Sequence, residues 1–137
     1  MRFTIHVLVA LSVLFLAGCR GDGRLNVKGR IVKGGAPYTV SEDDTVRVTF
    51  FPVTPDGSPP KNTYIAAFDP TKGTFRAVGP DGKGVPPGKY RIAVEHQGKR
   101  REGPKVAFDG DRSPFVFDVD SSTKELLIDL DQPKLAR

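Results

Sequence analysis

The chain contains no tryptophan and only one cysteine, at position 19. With one cysteine no intramolecular disulfide can form, and a chain of this size can rely on its apolar core instead. His6 lies in an N-terminal segment that we expect to be removed, which leaves His96 as the one histidine. A single histidine supplies neither a histidine pair for a metal nor an alternative base for a serine–histidine–acid triad. We therefore predict no catalytic residue, no metal and no cofactor.

The N-terminal segment has the pattern of a bacterial lipoprotein signal. Arg2 precedes an apolar run over residues 7–16, and the small residues Ala17 and Gly18 lead directly to Cys19. A charged start, an apolar middle and a small-residue site are typical of a cleavable export signal. The run is shorter than the roughly 20 residues that span a bilayer. An uncleaved membrane helix and a plain secretory signal are the alternatives.

Cleavage before Cys19 would leave that cysteine as a lipidated N-terminal residue. Each buried methylene of an acyl chain contributes about 0.8 kcal/mol, and two signals suffice for stable anchoring. We therefore expect a lipid-anchored protein of the cell envelope, attached to membrane lipid through acylated Cys19. Arg20, rather than an aspartate, follows the cysteine, which favours the outer membrane or another periplasm-facing position.

The expected organisation is one domain behind a short tether. We predict a signal peptide over 1–18, a lipidated cysteine with a flexible tether over 19–24, a β-sandwich domain over 25–133 and a C-terminal tail over 134–137. The 21 lysines and arginines exceed the 16 acidic residues only modestly and are scattered. A nucleic-acid-binding protein concentrates its positive charge on one element. We therefore expect no nucleic-acid partner.

The remainder of the chain alternates apolar and polar residues with a period of two. No window of helical length shows a sustained 3.6-residue period, and the 12 prolines and 15 glycines would interrupt most helices. The pattern indicates an all-β fold, a single antiparallel β-sandwich of about seven strands. The predicted strands are Leu25–Ile31, Val46–Phe51, Tyr64–Phe68, Thr74–Val78, Tyr90–Glu95, Phe115–Val119 and Leu126–Leu130.

Several of these segments together resemble a known family. They are the opening strand Val27–Ile31, the second strand Val46–Pro52, the segment Gly73–Phe75 after a turn, the segment Pro86–Val94 and the closing segments Ser113–Val119 and Leu126–Leu130. Their order is similar to that of small planctomycete-type lipoproteins with a carboxypeptidase regulatory-like or transthyretin-like domain. The resemblance implies a prealbumin-like Greek-key sandwich that ends in a hairpin. It implies no activity and no catalytic residues.

Four aspartates form the one candidate cation site. Asp109 and Asp111 lie in a predicted loop, while Asp118 and Asp120 share one face of a predicted strand, so their oxygens could converge on calcium. The spacing is not that of an EF-hand. Solvated carboxylates opposite lysine or arginine are the alternative interpretation.

Two further features bear on partners. Lys99, Arg100 and Arg101, with Lys105 nearby, could contact anionic lipid headgroups or an acidic polysaccharide, or could form a solvated loop. His96 follows the predicted strand Tyr90–Glu95, and we expect it to be an exposed turn residue.

The three tyrosines are expected to divide between surface and core. Tyr38 follows a glycine-rich turn and is the best candidate for an exposed aromatic, whereas Tyr64 and Tyr90 should pack in the core. The expected function is that of a non-catalytic envelope lipoprotein, with a structural or protein-interaction β-sandwich and an envelope protein or polysaccharide as partner. The alternative is a small carbohydrate- or ligand-binding module.

Overall fold

The computed structural model describes residues 22–98, 106–108, 110 and 112–131. Over these residues the protein is all-β, without a helix, and the strands form one curled sheet that resembles half a barrel. The all-β prediction is therefore confirmed. The strands are β1 Lys28–Lys33, β2 Ala36–Pro37, β3 Thr45–Pro52, β4 Tyr64–Asp69, β5 Thr74–Ala77, β6 Gly88–Gln97, β7 Val106–Phe108, β8 Val116–Val119 and β9 Leu126–Asp129.

Each of the seven predicted strands overlaps an observed one, and the two-residue β2 and three-residue β7 are additions. The order across the sheet is β2-β1-β5-β4-β3-β6-β7, with β9 also paired to β1 and β8 also paired to β6. The longest ladder joins β3 to β6, from Thr45 opposite Gln97 to Pro52 opposite Tyr90. This ladder lies towards the β7 end of the sheet.

The last two strands depart from the expected arrangement. The family resemblance implied a closing hairpin, but β8 pairs with β6 and β9 pairs with β1, so the two strands lie at opposite ends of the sheet. In addition, β9 runs parallel to β1, whereas the other strand pairs are antiparallel. The hairpin prediction is wrong because the chain, after the connection over residues 120–125, pairs with β1 instead of turning back along β8.

The alternation predicted for the first strand is confirmed by burial. Val27, Gly29 and Ile31 are buried, whereas Lys28 and Arg30 are exposed. Residues of the same parity on the other strands join them in one apolar cluster on the inner face of the curl. The largest completely buried side chains of that cluster are Phe50, Ile31, Ile92, Ile128, Val27, Val48, Val85 and Val94.

Three connections use the same aspartate turn. Asp56, Asp69 and Asp120 each accept hydrogen bonds from the backbone N–H and the hydroxyl of a serine or threonine two residues later. These hydrogen bonds lower the pKa of all three exposed carboxyls below the usual value. An Asx turn of this kind fixes a tight reversal of the chain, and the one at Asp69 joins β4 to β5 in the predicted hairpin.

Candidate functional site

The most distinctive polar group of the inner face lies at the end of β6. Tyr90, Ile92, Val94 and His96 follow one another at a spacing of two, so all four side chains point to the inner face of the sheet. His96 is only 5% exposed, and it pairs with Val46 of β3. A histidine buried this deeply needs hydrogen-bond partners for its ring nitrogens.

Both ring nitrogens of His96 find a partner in the segment that connects β2 to β3. The Tyr38 hydroxyl lies 2.5 Å from Nδ1, and the Asp44 Oδ2 lies 2.9 Å from Nε2. With the tyrosine donating, the ring accepts at Nδ1 and donates its Nε2 proton to the carboxylate, which assigns the tautomer from the network. The Tyr38 and His96 rings also meet edge to face, with their centroids 5.8 Å apart. We call Tyr38, Asp44 and His96 the histidine clasp.

The backbone around the connection holds two members of the clasp in place. The Tyr38 amide donates to the Ile31 carbonyl at 2.8 Å, which ties the start of the connection to β1. The Asp44 amide donates to the Ser41 carbonyl at 3.0 Å, so a turn delivers Asp44 directly before β3. The clasp thus joins β1, β3 and β6 at one end of the core.

The electrostatics of the clasp favour a structural role over a nucleophilic tyrosine. Burial, and secondly the negative charge of Asp44, raise the pKa of Tyr38 above its usual value. An activated phenolate would need the opposite shift. The clasp gives each ring nitrogen of the buried imidazole a hydrogen-bond partner. It therefore avoids the free-energy cost of leaving a buried polar group unpaired.

The structure corrects two expectations here. His96 is not an exposed turn residue, because β6 continues to Gln97 and the strand parity carries the imidazole into the core. Tyr38 is only partly exposed, because its hydroxyl reaches His96. Extending the alternation of Tyr90, Ile92 and Val94 by one step would have placed His96 inward. Nothing in the sequence pairs it with residues more than 50 positions earlier.

The prediction that Tyr64 and Tyr90 pack in the core is confirmed. Tyr90 is buried and contacts Phe50 and Tyr64 edge to face, while Tyr64 is partly buried against the same cluster. The Tyr90 hydroxyl donates to the Pro86 carbonyl at 2.7 Å. Burial, with a smaller contribution from Tyr64, raises the pKa of Tyr90 to about 12.

A second feature lies on the outer side of the sheet, where β3 runs into the proline-rich connection to β4. An open cleft of about 620 Å³ is lined there mainly by apolar groups, including Phe51, Pro52 and Val53, with Arg91 beside them. The Arg91 guanidinium, at the wall of the cleft, donates to the Ser113 carbonyl at 2.5 Å. Such a surface can take a small apolar or anionic group.

The candidate calcium site is only partly within the described residues. Asp118 is exposed and lies 3.8 Å from the Lys89 ammonium. Asp120 accepts a hydrogen bond from the Ser122 amide within its own turn. Among the residues the structure describes, no three histidine, cysteine, aspartate or glutamate side chains lie together as a metal would need. Asp109 and Asp111 lie outside the described residues, as do Cys19 and the basic cluster Lys99, Arg100, Arg101 and Lys105.

The described residues form no helix long and apolar enough to cross a membrane. The chain matches no protein-family model, no curated protein and no solved structure.

Proposed function

We propose that the protein is a lipid-anchored, non-catalytic component of the bacterial cell envelope. On this proposal Cys19 carries the lipid, and the curled sheet is a Greek-key sandwich of the transthyretin-like kind that recruits an envelope protein through one sheet edge. The apolar run before Cys19 and the small residues next to it support the anchor. The observation that supports recruitment is the free edge of β8.

Over the described residues β8 pairs on one side only, with β6. The Ile92 amide donates to the Phe115 carbonyl at 2.8 Å, and hydrogen-bonded pairs alternate along an antiparallel ladder. The backbone groups of Phe117 and Val119 therefore face β6, whereas those of Val116 and Asp118 point away from it. An extended segment of a partner can add to such an edge through main-chain hydrogen bonds.

The edge is tested with two substitutions at Asp118. Asp118→Pro removes an outward N–H without removing a β6–β8 hydrogen bond, and Asp118→Asn removes the charge while keeping the N–H. Crosslinking and affinity capture of the full chain from its native envelope should recover one stoichiometric protein with the parent and with Asp118→Asn, and much less with Asp118→Pro. Equal recovery with all three chains would exclude the β8 edge.

The anchor is tested separately. Intact-mass measurement of the chain recovered from membranes should show a diacylglyceryl and acyl addition on a fragment that begins at Cys19, and Cys19→Ser should abolish the addition. An unprocessed N-terminus in the parent chain would contradict the proposal.

The second candidate function is binding of a small ligand, which the cleft beside Phe51 favours. A sugar acid or another anionic group could contact Arg91 while apolar groups lie against Phe51 and Val53. Arg91→Gln and Phe51→Ala should then each weaken retention on an acidic polysaccharide. Arg47→Gln is the control, because Arg47 is an exposed arginine of β3 that lies outside the cleft and pairs with Glu95. Polysaccharide capture without a protein partner would favour this function over recruitment.

A further inference from the structure

The outer face of the sheet carries unpaired positive charge at the end that follows the predicted anchor. Lys28 of β1 and Arg76 of β5 are direct cross-strand partners, and both are exposed. Like charges directly opposite each other on a sheet are destabilising. Neither side chain forms an ion pair with a carboxylate of the described residues. Two cations held side by side in this way can bind an anionic surface.

A third cation and two apolar side chains complete this surface. Arg30, two residues after Lys28, lies on the same face and pairs laterally with Leu127 of β9. On the other side, Arg76 pairs with Ala67 of β4, two residues after Ile65. Leu127 is 50% exposed and Ile65 is 59% exposed. We call Lys28, Arg30, Arg76, Ile65 and Leu127 the basic face.

The composition of the basic face fits a membrane surface better than it fits a soluble anion. Leu127 and Ile65 are two of the three large apolar side chains that are exposed among the described residues, and the cations lie between them. Their strands are three apart in the sheet, about 14 Å, and the registers offset the two residues by four positions along the strands, about 13 Å. Apolar groups flanking a row of cations can enter the headgroup region while the cations contact lipid phosphates.

Acidic side chains also lie on this face, and each has a partner of its own. Asp69 lines the same depression as Lys28 and Arg76, but it lies 3.7 Å from the Lys72 ammonium and accepts a hydrogen bond from the Thr71 hydroxyl. Asp129, which pairs with Val32 of β1, accepts from the Asp131 amide.

Glu125 lies 3.7 Å from the Arg30 guanidinium, and both side chains are about half exposed, so the pair is weak and screened by water. Lys28 and Arg76 have no carboxylate partner of this kind among the described residues. An arginine or lysine near an anionic membrane contributes about 1 kcal/mol, which is roughly fivefold in the contact equilibrium.

The basic face lies close in sequence to the predicted lipid anchor, so it can reach the membrane. Leu25 bridges to Val85 at the start of the domain, and Lys28 follows only three residues later. The predicted tether over 19–24 spans at most about 22 Å when extended, so the domain stays within reach of the bilayer surface. We propose that the basic face rests on anionic phospholipid headgroups and so orients the anchored domain, leaving the β8 edge at the other end of the sheet free. This inference rests on the proposed lipid anchor.

The absence of tryptophan from the chain makes the test direct. Leu127→Trp and Ile65→Trp each place a single fluorescent reporter on the basic face. Val53→Trp is the matched control, because Val53 is also exposed but its amide bonds to β6 at Lys89, away from this face. The full lipidated chain is reconstituted in vesicles of phosphatidylcholine alone or mixed with phosphatidylglycerol, with and without brominated acyl chains.

In the mixed vesicles the two reporters on the basic face should shift their emission to the blue and be quenched by brominated lipid, whereas the Val53→Trp reporter should not. Phosphatidylcholine alone, or about 1 M salt, should greatly weaken both effects, since salt shortens the screening length to about 3 Å. Lys28→Glu and Arg76→Glu should each lower the contact equilibrium by at least roughly fivefold. Lys89→Glu, the matched reversal on β6, should leave it unchanged.

The outcomes separate this inference from the anchor. If the chain floats with the vesicles but both basic-face reporters stay unquenched, the anchor stands and the inference is overturned. Equal quenching at all three positions, or equal quenching in both lipid mixtures, also overturns it. If the chain does not float with either kind of vesicle, the anchor itself fails and the inference fails with it.

Discussion

At each end of the inner face of β6 a buried polar side chain needs hydrogen-bond partners, and the two ends supply them in different ways. At one end Tyr90 contacts Phe50 and Tyr64 edge to face, and its hydroxyl reaches the Pro86 carbonyl only four residues away. At the other end His96 is buried to a similar degree but depends on Tyr38 and Asp44, which lie more than 50 residues earlier. The aromatic end needs little besides volume and a local hydrogen bond. The histidine end needs a distant segment to arrive in the correct register.

The difference between the ends should appear first in the energetics of truncation. Phe50→Ala removes a completely buried ring from the aromatic end, and the expected loss in the free energy of unfolding is about 3–5 kcal/mol. Chemical denaturation of the full chain measures it. Ile65→Ala, at an exposed position, should change stability by less than about 0.5 kcal/mol. A comparable loss for both variants would mean that the core does not centre on Phe50.

Removal of the imidazole tests the histidine end. His96→Ala takes away the acceptor for Tyr38 and the donor for Asp44, both partly or largely buried, so we expect a loss of about 1–3 kcal/mol besides the loss of packing. The connection over 38–44 should also exchange its amide hydrogens faster, because the clasp no longer holds it. Unchanged exchange in that connection would show that the clasp does not hold it to β6.

A double-mutant cycle sharpens the same point with less disruption. Tyr38→Phe keeps the ring contact with His96 but removes the hydroxyl, and it should cost about 1 kcal/mol. The double variant with His96→Ala should lose less free energy of unfolding than the sum of the two single losses, by at least about 0.5 kcal/mol, since the two side chains contact each other. At the aromatic end, Tyr90→Phe supplies the matched loss of a hydroxyl. Strict additivity of Tyr38→Phe and His96→Ala would contradict the hydrogen bond.

The pH dependence of stability gives the smallest effect. The folded state holds the proton of Tyr90 up to a pKa of about 12, compared with the usual value of 10.0. Because the raised pKa favours the protonated form in the folded state, its stabilising contribution is complete below pH 10 and is lost as the pH rises towards about 12. Tyr38 changes in the same direction. Denaturation midpoints should fall over this alkaline range, and the fall should be shallower in Tyr90→Phe. An identical slope in Tyr90→Phe would show that Tyr90 titrates as it does in the unfolded chain.

The fold was predictable to the extent that burial follows alternation. The inward positions Val27, Ile31, Leu126 and Ile128 were recognisable because each strand has one solvent-exposed face and one buried face. The β4–β5 hairpin was recognisable from its turn residues. The positions of β8 and β9 in the sheet were not recognisable, since a polar connection indicates a turn but does not determine which strand the chain pairs with next.

The candidate site was much less predictable. Strand parity alone would have turned His96 inward, but the bonds to Tyr38 and Asp44 depend on how the β2–β3 connection packs against the end of β6. The pairing of Lys28 with Arg76 likewise depends on the register between β1 and β5, which alternation does not specify.

The sequence alone determined the class of the fold, the strand faces and the turns, because these follow from local periodicity and backbone chemistry within a few residues. The tertiary structure decided that β9 lies parallel to β1 and that His96 is buried in a clasp. It also placed Lys28 beside Arg76, neither with an ion pair among the described residues, between exposed leucine and isoleucine side chains. Those features join residues far apart in the chain. Their energies arise from burial and charge proximity, which exist only after the sheet has closed.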